Sequence, residues 1–106
     1  MQVTARNTGS TYDVLEDATL DDVREAVPNF FSGSHGDNET VEMYRGFVIV
    51  QNSNVFGNNK PVHRAVVYLF TGSDTMCASS GLKLTDEDEA TELVDEILES
   101  GKYGRA

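Results

Sequence analysis

Between Thr85 and Gly101 the apolar side chains fall at Ala90, Leu93, Val94, Ile97 and Leu98. The spacing i, i+3, i+4, i+7, i+8 makes one stripe along a helix. A helix of this length is marginal in water by itself, so the stripe demands a partner surface. Thr85 and Asp88 form a threonine–acid capping pair at its start, and Gly101 stands where a helix ends in a left-handed residue.

Two apolar runs predict a sheet as that partner. In 41–50, Val41, Met43, Phe47 and Ile49 alternate against Tyr44, Val48 and Val50, and Gly46 reads as a bulge. In 62–70, Val62, Val66, Tyr68 and Phe70 lie on mixed faces. Strands apolar on both sides suit the middle of a sheet. The segment 51–61, with Asn52, Asn54, Asn58 and Asn59, reads as a long loop of the kind that often carries function, with Val55 and Phe56 at its exposed tip. Beyond the turn Thr71-Gly72-Ser73-Asp74, a short strand is predicted at Met76, Cys77 and Ala78.

Upstream, 2–6 and 11–15 alternate as a hairpin around Asn7-Thr8-Gly9-Ser10. Thr19 with Asp22 caps a first helix whose Leu20, Val23, Val27 and Phe30 share a face. Pro28 ends its regular part near Val27. Phe30 and Phe31 read as a plug on the core, and 32–38 as a loop. The predicted architecture is one α+β domain over residues 1–106, in the order β-β-α-β-β-β-α. It holds an antiparallel sheet of about four or five strands with both helices on one face. Leu93, Val94, Ile97 and Leu98 are expected against Phe47, Ile49, Val66 and Tyr68.

Charge narrows the function. Eighteen acids against eight bases leave a formal charge of −10, which disfavours nucleic acid and anionic membranes and favours a basic protein surface. No apolar run approaches the roughly 18 residues of a membrane span. The start, Met1 to Arg6, lacks the pattern of a secretion signal, and the single Cys77 excludes an internal disulfide and a cysteine-rich zinc site. Together these predict a cytoplasmic protein.

Catalytic and metal chemistries find little support. His35 with Asp37, or His63 with a distant carboxylate, are the nearest approaches to a ligand set, without the spacing of a zinc or calcium motif. Asp86-Glu87-Asp88-Glu89 is contiguous on a helix, so its side chains diverge. Cys77 between Met76 and Ala78 reads as a small buried apolar group rather than a nucleophile activated by His63. Gly33-Ser34-His35-Gly36 lacks the lysine of a phosphate loop. Paired-carboxylate hydrolysis would need a deep cleft and aromatic walls, in a short chain without tryptophan. The expectation is a protein with no enzymatic activity, no metal and no cofactor.

What remains is the last helix, where Asp86 to Glu99 carries eight acids and no base. Acids in its first turn suit the positive end of the helix dipole; Asp95, Glu96 and Glu99 lie near the negative end, where they do not. Asp88/Glu92, Glu92/Glu96 and Asp95/Glu99 are also like-charge neighbours at i, i+4. Acids held against local stability point to binding. Asp88, Glu92, Asp95, Glu96 and Glu99, with Phe56, are therefore the expected partner-contacting residues. The function expected is an inhibitor or modulator that imitates nucleic acid on a nucleic-acid-binding protein or nuclease, of the phage, mobile-element or immunity type. Two other readings are a structural or assembly accessory that uses the Asn-rich loop and Phe56, and a halophilic housekeeping domain.

Overall fold

The computed structural model describes residues 1–28, 39–56, 60–79, 82 and 84–104, and the side chains of these except 39, 52–56 and 60–64. Its elements are β1 (Gln2–Ala5), β2 (Thr11–Asp13), α1 (Leu20–Ala26), β3 (Glu39–Tyr44), β4 (Phe47–Phe56), β5 (Lys60–Phe70), β6 (Thr75–Cys77), α2 (Glu87–Ser100) and β7 (Lys102–Tyr103). The fold is α+β. A four-stranded antiparallel sheet runs β3-β4-β5-β6, and a second, three-stranded sheet runs β2-β1-β7. The first hairpin thus builds its own small sheet, completed by β7 lying parallel to β1.

The apolar run 41–50 is a hairpin rather than one bulged strand. Arg45 and Gly46 both have positive φ, 50° and 86°, as the tightest two-residue hairpin turns require. Tyr44 then pairs with Phe47, Met43 with Val48 and Val41 with Val50. Cross-strand partners share a face, so Val41 and Met43 lie with Val48 and Val50, while Tyr44 lies with Phe47 and Ile49. That reverses part of the alternation read along a single strand. The turn is also pressed against the segment after β2, because a Cβ on Gly46 would stand 2.5 Å from the Leu15 carbonyl oxygen. Gly46→Ala should therefore cost more than the about 1–2 kcal/mol of left-handed strain. Gly9→Ala, at φ 73° with nothing within 4 Å of its Cβ, should cost the strain alone. Denaturant unfolding of both variants checks this, and equal losses would mean that the Gly46 turn has room.

In the predicted loop 51–61, residues 51–56 and 60–61 are strand, and 57–59, with Asn58 and Asn59, lie outside the described residues. β4 and β5 stay in register from Phe47↔Leu69 out to Val55↔Pro61 and Phe56↔Lys60. The ladder is made by backbone groups, and polar side chains do not prevent it once the apolar halves have fixed the register. Phe30, Phe31, the 32–38 segment and the side chains of Phe56 and His63 lie outside the described residues.

Alternation along β4 and β5 gives the large sheet two apolar faces. Phe47, Ile49, Ala65, Val67 and Leu69 join Ala90, Val94, Ile97 and Leu98 of α2 in one core, which also takes in Val3, Ala5 and Tyr103 of the small sheet. Val48 and Phe70 join Val23 of α1 in a second core, with Val41, Met43, Val50 and Tyr68 packed around it. The helices therefore pack into separate cores formed by alternate residues of β4 and β5, not both on one face as predicted. Tyr68 belongs to the α1 side, and Val67 and Leu69 are the β5 residues that meet α2. A sheet with apolar residues on both sides must be covered on both.

Local signals set the helix ends. Thr19 and Asp22 form the reciprocal capping box predicted for α1, which ends at Val27. For α2 the cap is Asp86 rather than Thr85: its side chain accepts from the Glu89 backbone N–H at 2.8 Å, while Thr85 donates to the Glu89 carboxylate at 2.7 Å. Gly101 closes the helix at φ 73°.

Candidate functional site

Because α2 buries Ala90, Val94, Ile97 and Leu98, its outward face falls to the residues between them. Asp88, Glu92, Glu96 and Glu99 are all exposed. They form a row at i, i+4, i+8 and i+11, about 16 Å long at the rise of an α-helix. None of the four forms an ion pair among the described residues, and the last turn of α2 carries no base. Beside the row, half-buried Leu93 and exposed Leu82 line a shallow groove of about 190 Å³ with Glu96, Arg6 and Lys102. Lys102 belongs to β7, and Arg6 Nη1 donates to the Gly104 carbonyl just beyond it at 2.9 Å.

Asp95 is placed differently from its neighbours. Its Oδ1 accepts from the Tyr44 hydroxyl at 2.9 Å and from Arg45 Nη1 at 2.9 Å. Arg45 reaches on through Nη2 to Glu16 Oε1 at 3.5 Å. One guanidinium thus ties the β3–β4 turn to α2 and to the segment ahead of α1. The Tyr44 hydrogen bond, then the Arg45 hydrogen bond, hold the Asp95 carboxyl below the usual aspartate range. The same contact with Asp95 raises the Tyr44 hydroxyl and the Arg45 guanidinium above their ordinary values.

A second contact between the hairpin and α2 runs the other way. Glu42 on β3 lies against Glu87 in the first turn of α2, and hydrogen bonding to Glu87, then its charge, raise the Glu42 carboxyl. Ionising Glu42 therefore works against the fold as pH rises. Among the described residues no group of three or more His, Cys, Asp or Glu is arranged to hold a metal ion. No helix of the described residues is long and apolar enough to cross a membrane. Cys77 is exposed, not buried as its apolar neighbours suggested; Ala78 takes the buried position, at 1% exposure. Ser79, buried next to it, accepts from the Val67 backbone N–H at 3.0 Å.

Of the six residues predicted to contact a partner, Asp88, Glu92, Glu96 and Glu99 come together on one exposed face. Asp95 turns toward Tyr44 and Arg45, and the side chain of Phe56 lies outside the described residues. Sequence reasoning did not find Tyr44, Arg45, Glu16 or Glu42. The Arg-Gly pair between two apolar runs was the available signal, since a two-residue turn there fixes which side chains face α2. Compared with protein-family models, with curated proteins and with solved structures, the chain has no match in any of the three.

Proposed function

We propose that this chain is a cytoplasmic binding protein without catalytic activity, which docks the outer face of α2 on the basic surface of a nucleic-acid-binding protein and occupies the place of nucleic acid. The observation that carries the reading is the row Asp88, Glu92, Glu96 and Glu99: exposed carboxylates without ion-pair partners on a helix anchored along its opposite side. Successive members at i, i+4 advance by about 6 Å along the axis, a rise comparable to the step between phosphates on a nucleic-acid strand. Anchoring matters because a preformed row loses little freedom on binding. Half-buried Leu93 next to exposed Leu82 adds an apolar edge, which gives the surface a contact that screening by salt does not remove.

Dispersed halophilic acidity accounts less well for acids aligned at the negative end of a helix. The immobilised protein should capture its partner at low salt from a lysate of its source organism and release it as salt rises. Glu92→Lys with Glu96→Lys changes the formal charge from −10 to −6, two units at each site. That variant should remain folded and lose on the order of tenfold or more in affinity, mostly through slower association. Duplex DNA or RNA should compete with the wild type for the captured protein. A folded double variant that binds equally well, or a partner indifferent to nucleic acid, would remove this reading.

A further inference from the structure

Among the described residues, the α1 side of the large sheet carries a groove of another kind. A groove of about 850 Å³ opens between α1, the 14–18 segment and the turn after β5. Its size lies within the range of ligand-binding clefts, about 300–1,000 Å³. One wall is α1, seven residues and about 10 Å of helix. Val14, Ala18, Ala26 and Phe70 give the groove an apolar lining. Leu15 and Met1 stand at its edge, 46% and 52% exposed, and they are two of the three large apolar side chains exposed among the described residues.

Among the described residues the charged side chains of the lining are all anionic, and the one cation beside them, the Met1 ammonium, donates to the Val14 carbonyl at 3.2 Å. These side chains are Glu16, Asp17, Asp22 and Glu25, and no lysine or arginine side chain among the described residues joins them. Asp22 is occupied in capping α1, and Glu16 is held by Arg45 at 3.5 Å. Asp17 and Glu25 have no hydrogen-bond or ion-pair partner among the described residues. An occupant of matching chemistry places an apolar group on the floor and cations at the edge. A second copy of the chain does not match, because it too carries −10. An anionic lipid surface meets the same repulsion. A simple polyamine would leave Ala26 and the exposed Leu15 unused.

We propose that this groove binds a short protein segment in which arginine or lysine flanks an exposed apolar side chain, with Asp17 and Glu25 taking the cations and Leu15 and Ala26 the apolar group. The site is separate from the α2 face. The probe is a fluorescent peptide of alternating arginine and leucine, compared by anisotropy at physiological salt with an arginine–serine peptide of equal charge. The arginine–leucine peptide should bind the wild type about tenfold or more tighter than its serine counterpart, because the apolar floor contributes beyond charge. Asp17→Lys with Glu25→Lys should abolish that preference and weaken binding at least about tenfold. Leu15→Ser, a second variant that leaves every charge in place, should reduce the preference for leucine. Glu92→Lys with Glu96→Lys alters charge equally on α2 and should leave the leucine preference intact. The proposal fails if the two peptides bind alike, if the α2 variant loses as much as the groove variant, or if spermine displaces the peptide at equal concentration. Those outcomes would indicate diffuse attraction to an acidic protein, and none of them bears on whether α2 docks on a basic partner.

Discussion

Truncating Phe70 to alanine should destabilise the protein about as much as truncating Phe47, by about 3–5 kcal/mol each. The two side chains are 1% and 0% exposed, but they belong to different cores. Phe47 packs with α2 and the small sheet, Phe70 with Val23 of α1 and Val48. Were both helices on the α2 face, Phe70 would point to solvent and its loss would be nearly neutral. The comparison therefore tests whether the sheet is covered on both sides. A domain of this size is stable by about 5–15 kcal/mol, so either variant could lose much of its margin. Ile49→Val on the α2 side, expected to cost about 0.5–1.5 kcal/mol, gives a milder reference in the same denaturation experiment. A Phe70→Ala variant unfolding within about 0.5 kcal/mol of wild type, as surface substitutions do, would mean that α1 does not seal that face.

Elements written in local code were legible in the residues. The α2 stripe, Gly101 at its end and the Thr19–Asp22 box each depend on side chains within a few positions, and all three occur as predicted. The face assignments were harder to read because period-two alternation is reset by any turn. Reading 41–50 as one strand put Val41 with Phe47, whereas the Arg45-Gly46 turn pairs Val41 with Val50. No turn interrupts β5, but its register on β4, Phe47↔Leu69 and Ile49↔Val67, is not written in either strand, so Tyr68 rather than Val67 was expected against α2. The Asn-rich segment misled through composition. Asparagine favours turns by bonding to nearby backbone, yet the register fixed farther down β4 and β5 carries the pairing past Asn52 and Asn54 to Phe56↔Lys60. Where charge was concerned, the run of acids on α2 was plain, but which of them face solvent depends on the hairpin. Nothing near Asp95 in sequence identifies Tyr44 and Arg45, which lie 51 and 50 positions away.

That distinction makes two neighbouring substitutions behave oppositely, although Asp95→Lys and Glu96→Lys change the formal charge equally. Lysine at 95 would set an ammonium group against Arg45 and leave the Tyr44 hydroxyl without its acceptor. The melting temperature should fall, and partner affinity measured on the folded fraction should change little. Lysine at 96 relieves repulsion from Glu92 and suits the negative end of the helix dipole. The melting temperature there should hold or rise, while partner affinity drops. A pH series separates the Asp95 contact from general charge effects. The Asp95 carboxyl lies below its ordinary range in the folded state, first through Tyr44 and then through Arg45. Its contribution is present above the unfolded aspartate pKa, about 3.9, and is lost as pH falls through the lower folded value. Wild type should therefore exceed Asp95→Asn in melting temperature at neutral pH, and the gap should close in acid. Tyr44→Phe should narrow that gap at neutral pH, because it removes the foremost cause of the lowered carboxyl. An Asp95→Lys variant that melts with wild type at neutral pH would show that the contact does not hold the hairpin to α2, and Asp95 would then rejoin Glu92, Glu96 and Glu99 as a candidate for the docking face.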